Sequence, residues 1–173
     1  DNENHNIYSI LGMISHINDF PKDLEGKKVV VVGGGAVGLD VVEFFADRNA
    51  DISIVEMMDQ IGRDLDPVSK NDTKTMMKKH NVHQLTKTAL LEVKDSSFLV
   101  RGDGEPYELP FEYGFVCLGM RAQGQLYQNL TEEFSSEDVE IMNIGDSQRA
   151  RRIIDGTQEG RNILTILEQK GYL

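Results

Sequence analysis

The stretch from Lys28 to Glu56 constrains the fold more than any other part of this chain. It opens with Lys28-Val29-Val30-Val31-Val32, an apolar β-branched run of the kind buried on both faces of a parallel sheet. Gly33-Gly34-Gly35-Ala36-Val37-Gly38 follows at once. Apolar residues at Val37, Val41, Phe44 and Phe45 then predict a helix over Ala36 to Arg48. A second strand, Ile52-Ser53-Ile54-Val55, ends on Glu56. Strand, G-x-G-x-x-G, helix, strand and acid in this order form a dinucleotide-binding fingerprint, with the acid about 20 residues on. Gly33 allows the tight turn, Gly35 lets a pyrophosphate approach the backbone, and Gly38 lets the helix pack on the strand. Gly34, Ala36 and Val37 complete the loop, whose N–H groups and helix dipole face an anion. The Glu56 carboxylate can accept hydrogen bonds from both ribose hydroxyls of an adenosine. Five agreeing features outweigh the rival reading of a plain glycine turn.

The rest of the chain decides what kind of dinucleotide domain this is. Ile7, Ile10, Leu11 and Ile14 form a stripe at helical spacing, so residues 1–25 read as a helical lead-in closed by Pro21 and packed on its own domain. Asp66-Pro67 reads as N-cap and first residue of a helix running to about His80, with Asn81 at its left-handed end. Val82 to Leu85 is a short strand. A plain doubly wound domain would now cross over by a helix. Instead Ala89 to Lys94, Phe98 to Arg101 and Tyr107 to Leu109 lack helical period and are separated by turn residues, which predicts a β-meander. The meander delivers the chain to Tyr113-Gly114-Phe115-Val116-Cys117-Leu118-Gly119, a central strand ending on glycine. The expected fold is α/β: a Rossmann-like parallel sheet with helices on both faces and a β-meander crossover, spanning 26–122. Residues 123–173 form a C-terminal segment, with a last strand at Glu140 to Ile144, Gly145-Asp146 after it, and an amphipathic helix from Asp155 to Lys170 stopped by Gly171.

Composition narrows the function classes. A net charge of −11 argues against nucleic acid and anionic membrane surfaces as partners. No apolar run approaches membrane-spanning length, and Asp1 to Asn6 are polar, unlike a secretory signal. A single cysteine, Cys117, excludes an internal disulfide or C-x-x-C pair and fits a cytoplasmic setting. His80 and His83 have ligand-like spacing but no cysteine partner, so no metal site is expected.

Four stretches resemble the nicotinamide-nucleotide half of the two-dinucleotide-domain flavoproteins, and within them the NADH:flavin oxidoreductases of old-yellow-enzyme type, such as 2,4-dienoyl-CoA reductase and 2-enoate reductase. They are Gly26 to Gly35, Gly38-Leu39-Asp40, Val116-Cys117-Leu118-Gly119 and Ile144-Gly145-Asp146 with Thr157 to Gly160 behind it. The resemblance covers residues 24–173. It implies an NAD(H) site built from Gly33, Gly34, Gly35, Ala36, Val37, Gly38, Asp40, Glu56, Met57 and Gly119, with Asp40 toward the nicotinamide. It also implies that Asp146 belongs to a returning part of an FAD domain. The chain departs from the pattern in three ways. It has no second G-x-G-x-x-G, no flavin-bearing barrel, and Leu118 stands where a small or hydroxyl residue is usual. FAD or FMN is therefore expected only in a full-length protein, and Asp146 is expected to be idle in this chain. The expected partner is a flavin-bearing domain of the same protein, with a homodimer as a further possibility; the C-terminal segment is expected to dock either on the nucleotide domain's own sheet or across that dimer interface. No arginine follows Glu56 until Arg63, which favours NAD(H) over NADP(H). No side chain stands out as a catalytic acid or base, and hydride transfer needs none. The alternative is a stand-alone nucleotide-binding regulatory module without redox activity. A complete small dehydrogenase would need a Tyr-Lys or His pair, whose spacing is absent.

Overall fold

The structure, a computed structural model, describes residues 5–172; Asp1 to Asn4, part of the polar opening, lie outside the described residues. The chain divides into two compact units, one ending at Gly119 and one beginning at Met120.

In the first unit β1 (Ile7–Ser9), β2 (Lys28–Val32), β3 (Asp51–Val55), β4 (His83–Leu85) and β8 (Tyr113–Val116) form a sheet in the order β1-β8-β2-β3-β4, with every pairing parallel. Alternation along β2 explains its unbroken valine run. Val29 and Val31 join one buried cluster, with Leu39, Val41, Val42 and Phe45 of α2 (Ala36–Ala46), Met13 of α1 (Ile10–Ser15) and Met77 of α3 (Pro67–Lys79). Val30 and Val32 join another, with Phe98, Val100 and Phe111. Both faces of β2 are thus dry, so neither can carry polar side chains. The second cluster is roofed by the meander, β5 (Ala89–Val93), β6 (Ser97–Arg101) and β7 (Tyr107–Pro110), an antiparallel sheet with a register shift between Leu90 and Glu92. The Rossmann-like parallel sheet and the meander are as expected. The helical layer, α1 to α3, packs on one face, and the meander stands on the other, where a plain doubly wound domain would carry a helix.

Two local readings are corrected. Ile7 to Ser9 is a strand, not the start of a helix. Three residues are too few to distinguish the two periods, and here the free edge of β8 pairs with them, Ile7 opposite Gly114 and Ser9 opposite Val116. The helix that follows is only six residues long, capped by Ser9, and it buries Gly12 and Met13 while Leu11 and Ile14 stay exposed. The anticipated stripe is therefore not the packed face. Phe20, beyond the helix, is a core residue instead, with its ring edge-on to Phe45 at 5.2 Å. In contrast α3 follows its signals: the Asp66 carboxylate accepts from the Val68 and Ser69 N–H groups, and Asn81 adopts φ +51°.

The second unit contains α4 (Gln125–Glu133), a 3₁₀ turn at Gly145–Ser147 and α5 (Ile153–Lys170), which ends on Gly171 at φ +81°. Glu140 to Ile144 is not a strand, contrary to expectation. A strand exists only through a ladder partner, and no strand among the described residues pairs with it. No described side chain in this unit is buried. Leu164 is 64% exposed while Ile163 and Leu167 are half-buried, so the amphipathic face foreseen in α5 is partly covered within its own unit. Among the described residues no helix is long and apolar enough to cross a membrane.

Candidate dinucleotide site

Parallel register brings the fingerprint together. Val32 lies opposite Val55 on one side and Val116 on the other, so Gly33, Glu56 and Cys117 emerge side by side at the carboxyl edge of the sheet. The chain leaves β2 toward β3 and returns on the other side as β8, which makes this edge the topological switch point where α/β sheets bind ligands. Gly33 sits at φ +112°, and a Cβ there would meet the Cys117 carbonyl oxygen at 2.2 Å. A Cβ on Gly38 would lie 1.8 Å from the Gly33 carbonyl oxygen. Both glycines are thus required by backbone contacts within the protein.

Gly35 differs. It is the N-cap of α2 with no side-chain cap, and a Cβ there would meet nothing within 4 Å. The first helical bond runs from the Leu39 N–H to the Gly35 carbonyl, so the N–H groups of Ala36, Val37 and Gly38 have no acceptor within the helix. An uncapped helix start beside open space is the arrangement a pyrophosphate requires.

Glu56 is held, not free. Its Oε2 accepts from the Gly34 N–H at 2.6 Å and its Oε1 from the Met58 N–H at 2.7 Å. A carboxylate has about four acceptor positions, so each oxygen keeps one for a ribose hydroxyl. The backbone beneath it is clamped as well. Glu56 N–H donates to Leu85, Thr88 N–H donates to the Glu56 carbonyl, and Lys87 N–H donates to Met58. Gly62 N–H reaches back to the Gly34 carbonyl at 2.7 Å. Met58, Gly62, Lys87 and Thr88 were not foreseen as part of this region. Lys87 holds φ +52°, a left-handed conformation that a lysine does not advertise, whereas Gly62, at φ +66°, carried a readable turn signal.

The other candidates divide. Met57, beside Glu56, is 68% exposed. Asp40 is exposed on α2 and lines a groove of about 360 Å³ between α2 and α3, with Ala36, Glu43, Ser69 and Asp72. Gly119 follows β8 at φ +82°. Asp146 belongs to the second unit, where its Oδ1 accepts from the Arg151 N–H. Cys117 is buried beneath the loop, and burial pushes its thiol up to about 11.

Residues 3–143 match the pyridine nucleotide-disulphide oxidoreductase family. The chain belongs to that family. It is 26% identical over 167 residues to a metal reductase of Desulforamulus reducens, covering 79% of this chain and 24% of the relative. It is 25% identical over 161 residues to an NADH oxidase of Thermoanaerobacter brockii, covering 92% of this chain and 24% of the relative. Among solved structures, a 2-naphthoyl-CoA reductase complex superposes with a TM-score of 0.66 over 91% of this chain and 23% of the other, at 19% identity, a likeness of fold. The chain thus spans about a quarter of the length of these relatives. The family is one of two-dinucleotide flavoproteins, oxidoreductases that use a pyridine nucleotide and a flavin. The residues present fit the first cofactor: an open uncapped loop for a pyrophosphate and a fixed carboxylate for a ribose. For the flavin they supply no comparable loop, since the fingerprint occurs once in the sequence.

Proposed function

We propose that this chain is the NAD(H)-binding domain of a flavin-dependent NADH oxidoreductase of the old-yellow-enzyme-related type, and that it presents the nicotinamide to a flavin carried by another domain of the same protein. The observation that carries this reading is the Glu56 carboxylate, fixed by two backbone N–H groups beside an open glycine loop. The N–H groups of Gly35, Ala36 and Val37 bind the pyrophosphate. Glu56 accepts from the adenosine ribose, with Met57 beside it as apolar surface. Asp40 and Gly119 serve the nicotinamide half, as the family resemblance implies. A 2′-phosphate at Glu56 would meet a carboxylate, which favours NADH over NADPH. The relative named as an NADH oxidase agrees with that preference. When bound, the nicotinamide supplies a hydride and a flavin takes it; the chain's own contribution is orientation and electrostatics. Asp146 contributes to this only where a flavin domain is present.

Titration calorimetry of the isolated chain with NADH and NADPH tests the reading. NADH binding tighter than NADPH binding is expected, with the difference narrowed by Glu56→Ala. Tighter binding of NADPH overturns the assignment.

A further inference from the structure

Gly34 is the middle residue of the G-x-G turn, a position the fingerprint leaves open. Its φ is not in the left-handed range, so backbone conformation alone does not call for glycine there. Its surroundings do. A Cβ on Gly34 would lie 2.9 Å from Glu56 Oε2, 3.1 Å from Glu56 Cβ and 3.2 Å from Glu56 Cγ. Every one of these nearest atoms belongs to Glu56. The Gly34 N–H donates to that same Oε2, and the Gly34 carbonyl accepts from Gly62. The Gly34 peptide therefore ties the phosphate loop to the acid loop, and it does so only because no side chain stands between them.

We propose that Gly34 is a specificity-determining positioning residue: its bare Cα and its N–H together hold the Glu56 carboxylate where it selects the 2′-hydroxyl over a 2′-phosphate. The proposal rests on the nucleotide assignment above. The atom most crowded by a new Cβ is the tip of a flexible side chain, so the fold can accommodate alanine by swinging the Glu56 carboxylate away and shifting its Cβ by a few tenths of an ångström. The cost then falls on recognition. Displacing Glu56 loses a charge-assisted hydrogen bond to the ribose and removes the negative charge that a 2′-phosphate would have met.

A double-mutant cycle decides it: wild type, Gly34→Ala, Glu56→Ala and the double variant, each titrated with NADH and NADPH and each melted by circular dichroism. Gly34→Ala is expected to weaken NADH binding about tenfold and NADPH binding less, so that the preference narrows. In the Glu56→Ala background the same substitution is expected to change NADH affinity less than about twofold, because the carboxylate it displaces is gone and only the 3.1 Å contact with the residue 56 Cβ remains. Equal loss in both backgrounds, or an unchanged NADH-to-NADPH ratio, overturns the proposal. If Gly34→Ala alone fails to fold, the melting curves carry the test: restored folding in the double variant supports the coupling, and a double variant that stays unfolded overturns it. Wild type binding neither nucleotide would overturn the nucleotide assignment, and the specificity role with it. Wild type binding NADH with an additive cycle overturns the role of Gly34 alone.

Discussion

Replacing Gly38 by alanine sets two opposite effects against each other. Gly38 lies in the first turn of α2 with an ordinary helical φ, where a Gly→Ala change on an open helix surface would stabilise by up to about 1 kcal/mol. Here the added Cβ would sit 1.8 Å from the Gly33 carbonyl oxygen, so one of the two must move about 1.6 Å to reach an ordinary 3.4 Å contact. No rotamer change relieves a clash with backbone, and Gly33 is itself pinned by its N–H bond to Val55. Overpacking of this kind costs about 3 kcal/mol at the upper end of its usual range, which outweighs the propensity gain and leaves about 2 kcal/mol of net loss. For a domain of this size that lowers Tm by roughly 4–8 °C. Displacing the start of α2 also moves the N–H groups of Ala36 and Val37, so NADH affinity falls by at least about tenfold. Thermal melting at 222 nm and an NADH titration read both effects. A Tm that rises, as an open helical site would give, refutes the close approach of α2 to the loop.

Gly35→Val has the reverse profile. The protein offers its Cβ open space, so the fold loses no more than about 1 kcal/mol of cap preference while NADH binding disappears; retained binding would make the loop a plain turn. Phe98→Ala removes a fully buried ring 4.5 Å from Phe111 and is expected to cost about 3–5 kcal/mol in urea unfolding. A loss under about 1 kcal/mol would mean the meander does not roof the sheet. Burial pushes the Cys117 thiol up to about 11, so at pH 8 only about one thiol in a thousand is ionised. An aromatic disulfide reagent should therefore modify it no faster than the protein unfolds, and rapid modification of the folded chain would contradict its burial beneath the loop.

The fold was most legible where local chemistry and tertiary demand agree. Lys28 to Glu56, the Asp66-Pro67 start of α3 and the Gly171 stop of α5 each carry residues whose own preferences dictate the conformation seen. Ile7 to Ser9 was not legible, because a segment as short as Ile7-Tyr8-Ser9 becomes a strand only through the free edge of β8, more than a hundred positions away. Glu140 to Ile144 failed in the opposite sense: its pattern suits a strand, but it has no ladder partner among the described residues. At the site, Glu56 could be named from its spacing. What holds it could not, because the N–H groups of Gly34 and Met58 are backbone, and every non-proline residue has one. Gly34 itself was read as a loop member, whereas its contact with Glu56, 22 positions on, is a tertiary fact.

In the proposed site one glycine loop and one fixed acid hold a nicotinamide dinucleotide. Amide resonances of the isotopically labelled chain, followed during an NADH titration, test it residue by residue. Large shifts are expected at Gly34, Gly35, Ala36 and Val37, and at Met58, whose N–H donates to the Glu56 carboxylate. Saturable NADH binding that leaves those amides unmoved would contradict it.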